Sequence, residues 1–426
     1  MKTLYLCYFG LREPLVQTQV LPYLRELVGD GIEVSLLTFE PEIKRNWSRA
    51  QIEAEQSRLA AEGLSWYCLP YHKRPSLPAT LYDVARGALL AARLVRREGV
   101  QVLHARGHVP ALMAALVKAM VGGRMIFDIR GFMPEEYTDA GVWPENGRLY
   151  RGVKRVEGYL MASSDAFVVL TEKARQILFP GFEKSDPQGR PIEVIPCCVD
   201  PARFRAAGEI SRDELRDELK LAGRRVIVYV GSFGGWYMTD EMTLFLALAH
   251  ERDPSTFALI LTQSAPEPVR ERLRGLGLKD DDFFVGKVET ADVPRYLKAA
   301  DASISFIKAC YSKLSSSPTK IAEYLASGLP VVCNTGVGDL DELLNTDRVG
   351  VVINEFTREA YVAALSELDQ LSKDPTLNAR CHTSASERFN METVGGFRYR
   401  RLYRRLLGEN VNGADRVAEG VTTSVI

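Results

Sequence analysis

Residues Ser315–Val332 read SSSPTKIAEYLASGLPVV. Within them lie the end of a loop, one helix and the start of a strand. Ser317 is a good helix N-cap, and Pro318 suits the first helical position, where its missing N–H costs nothing. The spacing predicts a helix to Ala326, ended by Gly328, with a strand entering at Pro330. Such a helix aims its free N–H groups and the positive end of its dipole at the carboxyl edge of a sheet, where open α/β sheets bind ligands. Lys320 falls in the first turn, where a cation opposes the dipole unless an anion sits there. Glu323 follows one turn on. By spacing alone two readings stay open: an anion-binding helix start, or a capped core helix with a solvated Lys320–Glu323 pair.

Outward from this segment, short β-branched runs alternate with helical patterns along the whole chain. Strands are predicted at Thr3–Phe9, Glu33–Thr38, Ser65–Leu69, Val100–His104, Met125–Asp128, Ala166–Leu170 and Ile192–Ile195. A second set follows at Arg225–Val230, Phe257–Thr262, Phe283–Val285, Ala302–Phe306 and Pro330–Cys333. Gln17–Gly29, Leu81–Glu98 and Ser211–Leu221 read as helices between them. Repeated strand–helix units give parallel sheets, here two doubly wound α/β domains. A chain of 426 residues also exceeds the roughly 250–300 residues at which one core stops growing. The expected division is 1–200 and 206–385, with a linker near 196–206. A last helix, Glu392–Leu407, carries an apolar stripe and is expected to pack back on the first domain. A polar tail, 408–426, closes the chain.

With 54 Lys and Arg against 55 Asp and Glu, the net charge is −1. A bulk field for nucleic acid is excluded, so any phosphate recognition must be local. Seven scattered cysteines without a C-x-x-C pair fit a reducing, cytoplasmic setting rather than a disulfide framework or zinc site. Leu4–Leu11 runs into Arg12-Glu13-Pro14 and reads as a buried strand, not an export signal. The longest apolar window, Val109–Val121, contains Lys118 and is too short to span a membrane.

The segment SPTKIAEYLASGLPVV resembles the donor-binding segment of the retaining glycosyltransferases of family four, which have the GT-B fold. IEVIPCCVDPARF resembles that family's interdomain stretch, VIVYVGSFGGWY its first donor-domain strand and loop, and FFVGKVETADVPRYLKAADASISF its base-recognition region. The resemblance spans nearly the whole chain in the right order. It implies two Rossmann-like domains facing across a cleft, with the acceptor bound by the first and a nucleoside-diphosphate sugar by the second. It places Glu323 on the ribose and Gly286, Lys287 and Val288 at the base. The diphosphate falls to Lys320, with Ser317 and Thr319 beside it, and to the loop Gly231, Ser232, Phe233, Gly234 and Gly235. No cofactor and no metal are expected; the donor is a substrate. Three departures stand out. Ser315 occupies the position of the family's first Glu, the donor loop lacks Arg and Lys, and Gly10 stands alone where the family has two glycines. The diphosphate's positive charge then falls to Lys320, ahead of Lys308, Lys313 or an arginine of the first domain.

On the acceptor side, Asp128 and Arg130 are expected at one strand's carboxyl end, with Arg130 able to meet the diphosphate or an acidic acceptor. Glu135 or Glu136 would bind acceptor hydroxyls, and His108 stays open between a site group and a strand-end histidine bonded to backbone. The acidic stretches Asp280–Asp282 and Asp339–Asp341 read as a turn and a helix start. Arg86, Arg93, Arg96 and Arg97 share one predicted helix, and Arg148, Arg151, Lys154 and Arg155 another. These are solvated faces or peripheral contacts with an anionic membrane carrying a lipid-linked acceptor. The expected activity is transfer of a sugar to a glycan, lipid-linked or small-molecule hydroxyl with retention, as in polysaccharide biosynthesis. Its rivals are a nucleotide-sugar epimerase or hydrolase, and a non-catalytic nucleotide-sugar binder.

Overall fold

In the computed structural model, which describes residues 1–208 and 211–408, the strands form two parallel sheets. The first takes β1 (Lys2–Cys7), β2 (Glu33–Pro41), β3 (Leu64–Tyr71), β4 (Val102–Arg106), β5 (Arg124–Asp128), β6 (Ala166–Val169) and β7 (Ile192–Val194) in the order β3-β2-β1-β4-β5-β6-β7. The second takes β8 (Arg225–Val230), β9 (Thr256–Leu261), β10 (Phe283–Gly286), β11 (Ala302–Ser305), β12 (Val331–Asn334) and β13 (Gly350–Ile353) in the order β10-β9-β8-β11-β12-β13. In each sheet the strand order reverses beside the first strand, between β1 and β4 and between β8 and β11. A crevice opens at such a point outside the carboxyl ends.

The chain divides into two compact units, Met1–Ile195 with the chain from Gly395, and Pro196–Val394. Residues 196–206 therefore belong to the second unit instead of forming a free linker. There the Val199 N–H donates to Phe389 O at 2.8 Å.

Several local expectations change. The helix expected over Gln17–Gly29 is two helices, Pro14–Gln19 and Leu21–Gly29, because Pro22 has no N–H to continue a ladder and starts a new one. Strand β4 runs two residues later than the pattern suggested, which makes Arg106 its last residue. Strand β13 was not anticipated: it is a four-residue edge strand paired only with β12, too short for periodicity to mark.

The last helix, Phe397–Leu407, follows a π-helical turn over Met391–Gly396. Its Tyr399, Leu402, Tyr403 and Leu406 are buried, a spacing of three, one and three that forms one stripe. The arginines beside the stripe find acids within the first unit: Arg401 meets Glu193 at 2.6 Å, Arg400 meets Glu26 at 2.7 Å and Arg404 meets Asp30 at 2.8 Å. Residues 409–426 of the predicted tail lie outside the described residues.

Candidate active site

In the second unit, β8 ends at Val230 and the chain turns through Gly231–Tyr237. Gly231 has φ +144°, and a Cβ there would lie 2.6 Å from Lys320 Nζ. Only glycine lets the loop pass this close to the lysine. The loop is fixed from several sides. Gly231 N–H donates to Leu261 O at 2.9 Å, Phe233 N–H to Ser264 Oγ at 3.1 Å, and Gly234 N–H to Thr239 Oγ1 at 3.2 Å. Lys308 N–H donates to Trp236 O at 2.8 Å, which ties the loop to the segment after β11. The glycines thus spend part of the N–H supply expected for an anion. The amides of Ser232 and Gly235 have no partner among the described residues.

The helix after β11 runs Thr319–Ala326 and has no side-chain cap. Ser317 Oγ instead accepts the Cys197 N–H at 3.0 Å, so the expected cap residue stitches the 196–206 stretch to this helix. Gly328 ends the helix at φ +75°, where a Cβ would strike Asn378. Tyr324 fixes the helix to the sheet: its hydroxyl accepts the Val230 N–H at 2.7 Å and donates to Ile304 O at 3.4 Å.

Lys320 is 7% exposed. Its Nζ donates to Tyr229 Oη at 3.2 Å and lies 4.3 and 4.1 Å from the ring centres of Tyr229 and Tyr237. No carboxylate comes within salt-bridge distance of it among the described residues. Burial pulls its pKa down to about 7, against a smaller opposing pull from Glu323. The two tyrosine faces offset part of the burial cost.

Glu323 is buried, and burial pushes its carboxyl up while Arg203 and then Lys320 pull it down. Arg203 Nη1 reaches Glu323 Oε1 at 3.4 Å and Nη2 donates to Thr290 O at 3.0 Å. This arginine stands inside the VDPARF segment yet carried no signal of its own. The Gly286–Val288 turn follows β10, and Gln263 Nε2 donates to Val288 O at 3.1 Å. Lys287 is exposed, as is Lys308. Lys313 stacks on Trp236, 4.1 Å from its ring centre. Ser315 is buried and donates to Ser312 O at 2.7 Å, so no carboxylate replaces the family's first Glu here. The structure brings together Lys320, Gly231 and two tyrosines that the sequence did not single out.

A family model described as "Glycosyl transferase 4-like domain" matches residues 16–198, and one described as "Glycosyl transferases group 1" matches residues 224–370. The chain belongs to the group 1 glycosyltransferases. No curated protein matches it in sequence. Among solved structures it is similar to a glycosyltransferase from Rickettsia africae at 14% identity and TM-score 0.68, over 96% of this chain and 99% of that one. It is similar to HepE from Anabaena, solved in complex with UDP and glucose, at 16% identity and TM-score 0.67, over 95% and 99%. It is similar to a sucrose-phosphate synthase from Thermosynechococcus elongatus at 16% identity and TM-score 0.69, over 96% and 99%. The fold is GT-B, as the sequence led us to expect.

In the glycosyltransferase's first unit, the acceptor-side candidates separate. Asp128 is 0% exposed and accepts the Tyr399 hydroxyl at 2.9 Å. Arg130 lies 3.4 Å from it, His104 3.6 Å and Arg106 3.8 Å. Burial alone would raise the Asp128 carboxyl; the charges of Arg130 and Arg106 and the His104 hydrogen bond pull it well below the usual carboxylate range. Its carboxylate docks the C-terminal helix and does not face solvent, contrary to the expected acceptor-side role. Arg130 keeps 13% of its side chain exposed. Glu135 accepts the Tyr150 hydroxyl at 3.0 Å and pairs with Lys154 at 3.0 Å. His108 meets Glu157, not backbone, at 3.0 Å.

Proposed function

We propose that this glycosyltransferase moves a sugar from a nucleoside-diphosphate sugar to an acceptor hydroxyl with retention of configuration, without a metal. The unit built on β8–β13 takes the donor and the unit built on β1–β7 the acceptor. The observation that carries the reading is Lys320: a buried amine without a carboxylate partner among the described residues, beside a glycine loop at the carboxyl edge of β8. Such a group, protonated as the diphosphate binds, meets the negative charge that grows on the leaving diphosphate and does there what a divalent cation does elsewhere. Glu323 receives the ribose hydroxyls and the Gly286–Val288 turn the base. Because HepE was solved with UDP, uridine donors come first in the test. Radiolabelled or fluorescent sugar transfer from UDP-sugars to a glycoside panel, run in excess EDTA, is expected to proceed, with the product's anomeric configuration matching the donor's. Activity that vanishes in EDTA and returns with Mg²⁺ or Mn²⁺ would refute metal independence. Donor consumption with no acceptor product would favour a hydrolase.

The acceptor side also supports a peripheral membrane reading. The helices Ser76–Glu98, His108–Val121 and Arg148–Ser163 carry nine Lys and Arg against three Asp and Glu, in a chain of net charge −1. Asp83 is buried and Glu157 is paired with Lys154 and His108, so Lys154 leaves the outward basic set while Arg148, Arg151 and Arg155 stay exposed. Beside them Leu149, Val156 and Tyr159 are exposed along one side of the same helix. Apolar side chains flanked by arginines suit an anionic interface. No helix among the described residues is long and apolar enough to cross a membrane. Flotation with phosphatidylglycerol vesicles is expected to capture the protein, and vesicles of phosphatidylcholine alone are not. At about 1 kcal/mol per charge, replacing the three arginines by Ala should weaken capture on the order of 10²-fold. Equal capture by both vesicle types would refute the surface.

A further inference from the structure

His72 is the first residue after β3, at the carboxyl edge of the first sheet, and its side chain is 40% exposed. Its Nδ1 lies 2.6 Å from Asp83 Oδ1. Asp83 comes from the helix Ser76–Glu98 and is itself 1% exposed. The other carboxylate oxygen takes the Tyr8 hydroxyl at 2.8 Å and the His72 backbone N–H at 2.9 Å. Tyr8 follows the end of β1, so one buried carboxylate gathers donors from the ends of β1 and β3. A carboxylate in this setting is held by its donors and in turn fixes them.

The consequence for the imidazole is directional. Nδ1 carries the proton that Asp83 accepts, so the neutral ring presents Nε2 as an acceptor. Nε2 has no partner among the described residues. Next to it stands Tyr82, 51% exposed, with its ring 5.2 Å from the imidazole at 81°. Arg86 lies 5.7 Å over the same ring. An oriented acceptor, an exposed aromatic face and a guanidinium are what a hydroxyl-rich ring needs: hydrogen bonds at its edge and an apolar contact across its face.

We propose that His72, oriented by Asp83 and Tyr8 beside the open ring of Tyr82, is a subsite that binds a hydroxyl of a sugar-ring acceptor. This deepens the reading above, in which the β1–β7 unit takes the acceptor. His72 touches the acceptor; Asp83 is a positioning residue that acts through it.

The bland alternative is a lock that only pins the end of β3 to the helix, and one substitution separates the two. In His72→Asn the amide nitrogen can take the place of Nδ1 and keep the bond to Asp83, while Nε2 is lost. The test uses the full chain, a UDP-sugar that the wild type turns over and the best of a panel of methyl glycosides. His72→Asn is expected to raise the acceptor KM about tenfold, the worth of one hydrogen bond, with kcat within about twofold and an unchanged melting temperature. Asp83→Asn should raise the acceptor KM as well and lower the melting temperature. A wild-type acceptor KM in His72→Asn overturns the subsite and leaves the lock. Saturation-transfer NMR with methyl glycosides at millimolar concentration reads binding without turnover. Signal is expected for the wild type and several-fold weaker in His72→Asn; equal signals, or none for the wild type, overturn the proposal. Failure of UDP to bind the wild type would instead count against the donor reading, which the glycoside signals do not measure.

Discussion

Replacing Lys320 by Ala is expected to lower kcat by roughly 10²–10³ and to weaken UDP binding only about tenfold, since one charge contact made in the transition state is worth about 3–4 kcal/mol. The amine is already buried and held by Tyr229 and Tyr237, so its side chain need not move as charge develops. Glu323→Ala should do the reverse. On the proposed reading its carboxylate holds ribose equally in ground and transition states, so donor KM should rise about 10- to 100-fold with little change in kcat. Free uridine should feel the loss of Glu323 and be blind to Lys320. A further signature follows from the lowered pKa of about 7 at Lys320. Burial favours the neutral amine, so the unfolded chain binds more protons between about pH 7 and the ordinary lysine range, and this group's contribution to stability rises with pH there. A bound diphosphate reverses the balance. Calorimetry near pH 8 in buffers of different ionisation enthalpy should show uptake approaching about one proton per UDP and none per uridine. A Lys320→Ala enzyme with kcat within a few-fold of wild type would move the charge elsewhere, to Arg130 first.

The second large effect is on stability. Asp128→Ala should cost about 3–5 kcal/mol, because it strands the buried positive charge of Arg106 and removes the acceptor of Tyr399. For a unit of this size that is a drop on the order of 10 °C in melting temperature. UDP affinity should not change, because the groups proposed for the donor lie in the other unit. Differential scanning calorimetry with and without UDP measures both. Unchanged stability combined with a large loss of kcat would return Asp128 to the chemistry.

Much of the candidate donor site could be proposed from the sequence because its signals are local. The Pro318 and Gly328 boundaries, the glycines after β8 and the positions of Lys320 and Glu323 all act within one or two turns of chain. The acceptor side was less legible. The sequence singled out Asp128 and Arg130, but the burial of Asp128 depends on Tyr399, which is 271 residues away. His72 and Asp83 carried no motif, since a His and an Asp eleven residues apart are unremarkable until β3 and the following helix fold together.

By itself the sequence determined two parallel-sheet domains, their strand–helix rhythm and the helix between Pro318 and Gly328, because periodicity, proline and glycine effects are properties of short segments. The tertiary structure alone decided what each charged group meets. It closed Tyr229 and Tyr237 over Lys320, set Arg203 against Glu323, turned Ser317 from a helix cap into a stitch to Cys197, and sealed Asp128 under the last helix. Burial and hydrogen-bond partners belong to surfaces brought together from distant parts of the chain. Those surfaces set whether a lysine is a solvated charge or a buried amine with a lowered pKa.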